Sequence, residues 1–255
     1  MRLVQDVGRC PPRAIAFPLF FMTVPDPARP WTTELGSRMR EHFFLKAVGT
    51  TVWVWIFFVG YFYMLRHPAY PVTVMPLTWL DHQVPFEPAA LVPYLSLWLY
   101  VGIAPGLQRG FWPLLAYGLW AAALCAVGLG IFHFWPTQIP PMPIDPTAPG
   151  FALLQGIDAA GNACPSMHVA ISAFTVLWVE HLLRRAGAPA LLRLANLAWF
   201  LAIAWSTLAV KQHVALDVLA GAALGGVFAV ASLRWRPAER PAPSEAPRTA
   251  IMSRQ

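Results

Sequence analysis

The sequence predicts an all-α membrane protein: six transmembrane helices in one bundle, with both termini cytoplasmic. Three observations predict it. Of the 255 residues, 57% are hydrophobic and only 12% are charged, against roughly 25% charged in a soluble domain. Six apolar runs each approach the roughly 20 residues needed to cross about 30 Å of hydrocarbon. Lys and Arg fall almost entirely on alternate connections, as membrane orientation requires.

Residues 1–45 form a basic N-terminal tail, partly disordered or interfacial. The apolar stretch at 14–22 is too short to span and is interrupted by Pro18. It resembles a signal-peptide core behind Arg2, Arg9 and Arg13, but no clean small-residue cleavage site follows. Residues 32–45 suit an interfacial helix. The first span is Lys46 to Leu65, followed by a Pro-punctuated loop from Arg66 to Pro88. The second runs from Ala89 to Leu107 and the third from Phe111 to Phe132. A Pro- and Gly-dense loop covers 133–164. The fourth span is Ser166 to Leu183, the fifth Leu194 to Val210 and the sixth His213 to Leu233. Spans and loops together make one catalytic unit, 46–233. The tail 234–255, rich in Arg, Pro and Ser, is expected to be disordered.

The N-terminal stretch through Lys46 holds seven Lys or Arg, and the C-terminal tail holds Arg234, Arg236, Arg240, Arg248 and Arg254. Arg109, Arg184, Arg185 and Arg193 share their side. Only Arg66 and Lys211 lie opposite. The net charge of +6 therefore reads as topology, and with no basic stripe or motif it does not imply nucleic acid. Ten of the tryptophans lie mostly near span ends, as an interfacial belt requires. Cys10, Cys125 and Cys164 have no paired spacing, which argues against a structural disulfide or a zinc site.

Chemistry concentrates in two stretches at span edges on the outer side: Cys164-Pro165-Ser166-Met167-His168, and Ser206-Thr207 followed by His213 and Asp217. Polar and ionisable groups in such places are costly and usually functional. His213 and Asp217 are four apart, so on a helix they share one face. The carboxylate can fix one imidazole tautomer and leave the other nitrogen as a nucleophile. A buried pair that only ties helices together is the alternative. Pro165 and Ser166 are helix-start residues, and backbone N–H groups there favour an anion. Ser166 can add a hydroxyl donor, and His168 sits in the first turn. With His213 also at a helix start, two positive helix ends converge on a phosphate. One histidine can attack phosphorus while the other protonates the leaving alkoxide.

Pro165-Ser166-Met167-His168 resembles the P-S-G-H motif of the type 2 phosphatidic acid phosphatase and vanadium haloperoxidase superfamily. Residues 206–217, from Ser206 to Asp217, resemble its S-R-x5-H-x3-D motif. The resemblance covers roughly residues 75–230. It implies His213 as nucleophile, Asp217 as its orienting partner, His168 as general acid and Ser166 as a phosphate ligand. Three departures stand out. The K-x6-R-P motif is absent before Pro165, Thr207 stands where an Arg is usual, and Met167 replaces a Gly. Lys211 is the nearest substitute cation, a point charge rather than a fork; a polar cap at a helix junction is its other reading. Ser206 and Thr207 join it as substrate-binding candidates, with Asn162 as a pocket-lining residue. The Ser-Thr pair, Lys211-Gln212-His213, Phe134-Trp135-Pro136-Thr137 and residues 81–86 look like the inositol-phosphorylceramide synthase-like branch, whose members move a phospho-alcohol head group between lipids.

The implied activity is metal-independent cleavage of a lipid phosphate or phosphodiester through a phosphohistidine-type intermediate, with water or an alcohol as acceptor. No cofactor and no metal are expected. The expected partners are a phospholipid substrate and the membrane, of a bacterial inner or cell-membrane type, with the site on the outer face. The competing readings are an inactive relative and a proton-coupled transporter. Asp81 and Glu87 are expected in a solvated outer loop.

Overall fold

The computed structural model describes residues 30–142, 161–237 and Glu239. The expectations for the first 29 residues, for the middle of the 133–164 loop and for most of the C-terminal tail fall outside these. The described chain is mostly helical. Helix α1 (Trp31–Arg40) and α2 (Phe43–Arg66) meet at His42, whose φ of 55° makes a left-handed corner. The long helix therefore starts a few residues earlier than the sequence suggests. Then come a two-residue strand β1 (Thr73–Val74), the short α3 (Trp79–Gln83) and a 3-10 turn (Pro88–Ala90) that leads into α4 (Leu91–Gly106). Helix α5 (Phe111–Phe134), strand β2 (Thr137–Gln138), α6 (Met167–Arg185), α7 (Ala190–Ala209) and α8 (Ala215–Arg234) complete the order.

Among the described residues, five helical segments are long and apolar enough to cross a membrane: Phe43–Arg66, Pro88–Gly106, Phe111–Phe134, Ala190–Ala209 and Ala215–Arg234. The sequence reading expected six. Helix α6 is as long as one of these five, but His168, Glu180, His181, Arg184 and Arg185 interrupt its apolar character. It can carry them because it is the most enclosed helix, packed among α4, α5, α7 and α8. The outward faces of the others are apolar, as Val52, Trp55, Ile56 and Val59 on α2 and Leu219, Val227 and Val230 on α8 show. That is the reverse of a water-soluble surface and matches hydrocarbon as the surrounding solvent.

The six long helices alternate in direction, as contacts at the bundle's two ends show. At one end Tyr94 stacks on His168, Asn162 donates to the Tyr61 carbonyl, and His213 meets His168. At the other, Arg38 reaches the Leu107 carbonyl, Arg109 reaches Glu34, and Arg185 lies 3.5 Å from Glu239. Lys46, buried at the corner, donates from Nζ to the carbonyls of Arg38 (2.6 Å) and Gly106 (2.9 Å).

Helices α6 and α8 pack more closely than any side chain would allow. A Cβ on Gly221 would lie 2.4 Å from the Ser166 carbonyl oxygen, and one on Gly225 only 2.0 Å from that of Ala170. This pair, four residues apart, is the small-residue spacing that lets helix backbones touch. Met167, in place of the usual glycine, is accommodated by Gly128 on α5, where a Cβ would meet its sulfur at 2.3 Å. Two loops that sequence periodicity leaves featureless are stitched together over the site end. Strands β1 and β2 pair in parallel, Thr73 opposite Thr137, and Gln138 bridges to Gly161.

Candidate active site

Ser166 is the N-cap of α6. Its backbone is extended, and its Oγ accepts the Val169 N–H at 3.4 Å. Its own N–H donates to the Asp217 carbonyl at 3.0 Å, a direct backbone tie between the two motifs. Thr137 Oγ1 accepts the Cys164 N–H at 2.8 Å, fixing the approach to the cap. His168 thus enters the first turn of α6 from a rigid start.

The second histidine depends on how α7 ends. The N–H groups of Lys211 and Gln212 return to the carbonyls of Leu208 and Thr207, with Lys211 left-handed at φ 57°. This is the glycine-type helix stop, here carried by a lysine. The His213 N–H also donates to the Thr207 carbonyl, at 3.1 Å. Helix α8 begins only at Ala215, so His213 and Asp217 meet across a helix start rather than along one helix face. His213 Nδ1 lies 3.6 Å from Asp217 Oδ2, just beyond a hydrogen bond. Oδ2 itself accepts the Val214 N–H at 3.0 Å. Catalytic hydrogen bonds are often this long before substrate binds.

The two imidazole rings are 5.6 Å apart at 62°. With Nδ1 toward the carboxylate, the other His213 nitrogen lies on the far side of the ring. Both rings line one cavity. Asn162 joins them at the polar end. Away from it the walls are Trp53, Phe57, Phe58, Trp98, Val101 and Ile171. From Tyr94 to Val101 on α4 the cavity follows two turns, roughly 10 Å of helix.

The cavity gathers His168, His213 and Asn162, with Asp217 behind His213. The other candidates point elsewhere. Ser166 is fully buried and engaged as a cap. The hydroxyls of Ser206 and Thr207 donate back to the carbonyls of Ile203 (2.7 Å) and Ala204 (2.8 Å), so neither is turned to a ligand. Lys211 Nζ donates to the carbonyls of Val84 and Asp81, and burial lowers its pKa while Asp81 pulls it back up. It acts as the junction cap of its second reading.

Asp81 is buried, not solvated. Its Oδ1 accepts the Ala215 N–H at 2.7 Å, and its Oδ2 accepts the N–H (2.6 Å) and hydroxyl (2.7 Å) of Thr78. The start of α8 is therefore occupied by the chain's own carboxylates, Asp81 and Asp217. The expected pair of free positive helix ends is reduced to that of α6. The Thr78-x-x-Asp81 spacing of a capping box was the available signal, but its reach to Ala215 was not. Sequence reasoning also missed Tyr94 and Trp98. Tyr94 stacks on His168 at 4.8 Å, and the Trp98 ring lies 6.2 Å from it. Behind the pair, burial and then the charge and hydrogen bonding of Asp217 push the Cys164 thiol up to about 11. Cys125 and Cys164 are both free. Among the described residues no three His, Cys, Asp or Glu side chains are grouped to hold a metal ion.

Apolar helices of membrane-crossing length, with two imidazoles and a buried carboxylate gathered at one end, define an integral membrane protein. The chain belongs to the PAP2 superfamily, whose profile matches residues 113–241, just over half of its length. The match takes in α5 to α8 and both motifs. Membership suggests a lipid phosphatase-type activity in a membrane protein. Neither the curated proteins nor the solved structures contain a significant match.

Proposed function

We propose that this protein cleaves a phosphate ester of a lipid by transferring the phosphoryl centre to His213. The observation that carries the reading is the cavity: two imidazoles 5.6 Å apart at the polar end of an otherwise apolar, aromatic-lined space. The apolar walls suit a hydrocarbon chain, and the imidazole end suits a phosphate. Asp217 holds His213 with Nδ1 inward, and Nε2 attacks phosphorus. The bond to the leaving alkoxide breaks as His168, stacked on Tyr94, supplies its proton. His168 then takes a proton from water or an alcohol, whose oxygen displaces His213. In this reading six helices cross the membrane, both termini are cytoplasmic and the site lies near the outer leaflet, as the Lys and Arg distribution requires. Residues 1–45 and the tail from 234 flank the catalytic unit.

Head-group transfer to an alcohol, as in the inositol-phosphorylceramide synthase-like branch, is the second reading. It is favoured by the Ser206-Thr207 pair and the Lys211-Gln212-His213 run. The test is turnover of lipid phosphates and phosphodiesters by purified protein with EDTA present, wild type against His213→Ala. Loss of at least about a thousandfold in the variant is expected. Undiminished turnover would remove the nucleophile assignment.

A further inference from the structure

His168 alternates between neutral and charged forms in the phosphoryl-transfer reading above, on which this inference rests. It gives a proton to the leaving alkoxide and then takes one from the acceptor hydroxyl. A charged imidazole at the edge of an otherwise apolar cavity is costly unless something compensates it. A carboxylate beside it would do so, but would also repel the phosphate that arrives at the same end. An aromatic ring face attracts a cation and carries no net charge. Tyr94 presents such a face. Its ring stacks on the His168 ring with centroids 4.8 Å apart and planes 28° from parallel, inside the roughly 6 Å over which a ring attracts a cation. Trp98, one turn further along α4, adds its ring at 6.2 Å and 68°.

The ring is held from behind. Tyr94 is buried and clusters with Ala90, Ala209 and Val210, so it packs on the end of α7 from which the chain turns to His213. The Glu87 N–H donates to the Ala209 carbonyl at 3.0 Å and pins the approach to α4 at the same place. Further along α4, the Tyr100 hydroxyl donates to Asn196 Oδ1 (2.9 Å), and Asn196 Nδ2 donates to the Val176 carbonyl (3.0 Å). That chain fixes α4 against α7 and α6, and with them the phenol ring against the imidazole. The ionisable groups at this end make contacts of their own. Asp217 faces His213 Nδ1, Asp81 caps α8, Lys211 donates to the carbonyls of Asp81 and Val84, Glu87 accepts the Ala89 N–H, and Arg66 lies over the Phe62 ring. We propose that Tyr94 is a positioning residue that supports His168 as the imidazolium, with its greatest effect on the step that frees His213. In the first step the P–N bond to His213 forms, the P–O ester bond breaks and the alcohol leaves with the His168 proton. In the second, the oxygen of water bonds to phosphorus and the P–N bond breaks. The proton from water passes to His168, which becomes the cation that Tyr94 faces.

The experiment uses the full chain in detergent with EDTA, and a nitrophenyl phosphate monoester that carries a dodecyl chain on its ring. Nitrophenolate leaves as a stable anion, so its release with protein in excess reads the first step without a proton from His168. Release with ester in excess reads the complete cycle. Tyr94→Leu is expected to slow the complete cycle by at least about tenfold and the first step by less than about threefold. Tyr94→Phe keeps the ring and is expected to recover most of that loss. Phenylalanines bearing successively more ring fluorines at position 94 keep the shape but weaken the negative face. They are expected to slow the complete cycle in step with the fluorine count. Equal losses in both regimes, an unchanged complete cycle in Tyr94→Leu, or a fluorinated series without a trend overturns the assignment and leaves the phosphoryl-transfer reading standing. If Tyr94→Leu does not fold, the fluorinated series decides. If the wild type releases no nitrophenolate in either regime, the phosphoryl-transfer reading falls and the assignment falls with it.

Discussion

The two ends of the bundle bury charge in opposite ways. At the end away from the cavity, Arg38 donates from Nε to Glu34 (2.7 Å) and from Nη2 to Glu239 (2.8 Å), while Arg109 also reaches Glu34. Burial works against charge on Glu239, but the hydrogen bonds and charge of Arg38 outweigh it and hold its carboxyl below the ordinary range. The atoms short of partners there are an amide oxygen of Gln108 and an imidazole nitrogen of His181. At the cavity end the shortfall falls on the His–Asp pair itself. Among the described residues, His213 Nδ1 and Asp217 Oδ1 have no hydrogen-bond partner. One end uses charge to close the bundle. The other leaves it incompletely satisfied, where a reaction can use it.

The comparison can be broken most severely at Asp217. Asp217→Asn keeps the shape and an acceptor for Val214 but loses the negative charge behind His213. A fall in kcat of about a thousandfold to ten-thousandfold with little change in KM is expected from steady-state kinetics. A fall below tenfold would make the pair a structural tie. Next comes the contact that brings the two motifs together. Gly225→Ala would place a Cβ 2.0 Å from a backbone oxygen, so α6 and α8 must separate. Activity is expected to drop by about a hundredfold, since a misplacement of about 1 Å suffices for that, with a lowered midpoint of thermal unfolding.

The paired end should respond in stability alone. Glu239→Gln removes one half of a buried ion pair, with a cost on the order of 3 kcal/mol, and leaves turnover at low temperature unchanged. The wild-type contribution also has a definite pH sense. Because Glu239 titrates below its unfolded value, its stabilisation is complete above the ordinary carboxylate range and is lost as pH falls through the folded value. Thermal melts of wild type and variant should therefore converge on acidification. The smallest effect is at the left-handed Lys211. Lys211→Gly should be more stable than Lys211→Ala by about 1 kcal/mol, because only glycine adopts that conformation without strain.

Much of this was legible beforehand. The long helices lie within a few residues of the apolar runs, because in hydrocarbon length and apolarity decide where a helix forms. The motif spacing placed His168, His213 and Asp217 together. Less visible were features that depend on another segment's position. His213 precedes α8 because the Lys211 turn and the Asp81 cap fix the start at Ala215, and neither shows in a four-residue spacing. Asp81 reads as a loop acid until α3 folds over α8. Ser206 and Thr207 looked like ligands in a motif, yet their hydroxyls satisfy their own helix, as such residues often do. Tyr94 could not be distinguished from any other aromatic near a span end until α4 was set against α6.

The central claim is that His213 is the group that carries phosphorus, and its direct measurement is to trap the intermediate. Turnover of a phospholipid quenched in alkali, which preserves a phosphorus–nitrogen bond, followed by peptide mass mapping, should place the phosphorus-containing adduct on the peptide bearing His213. The adduct should be absent from His213→Ala. An adduct on the His168 peptide, or full turnover by the variant with none on His213, would contradict the account.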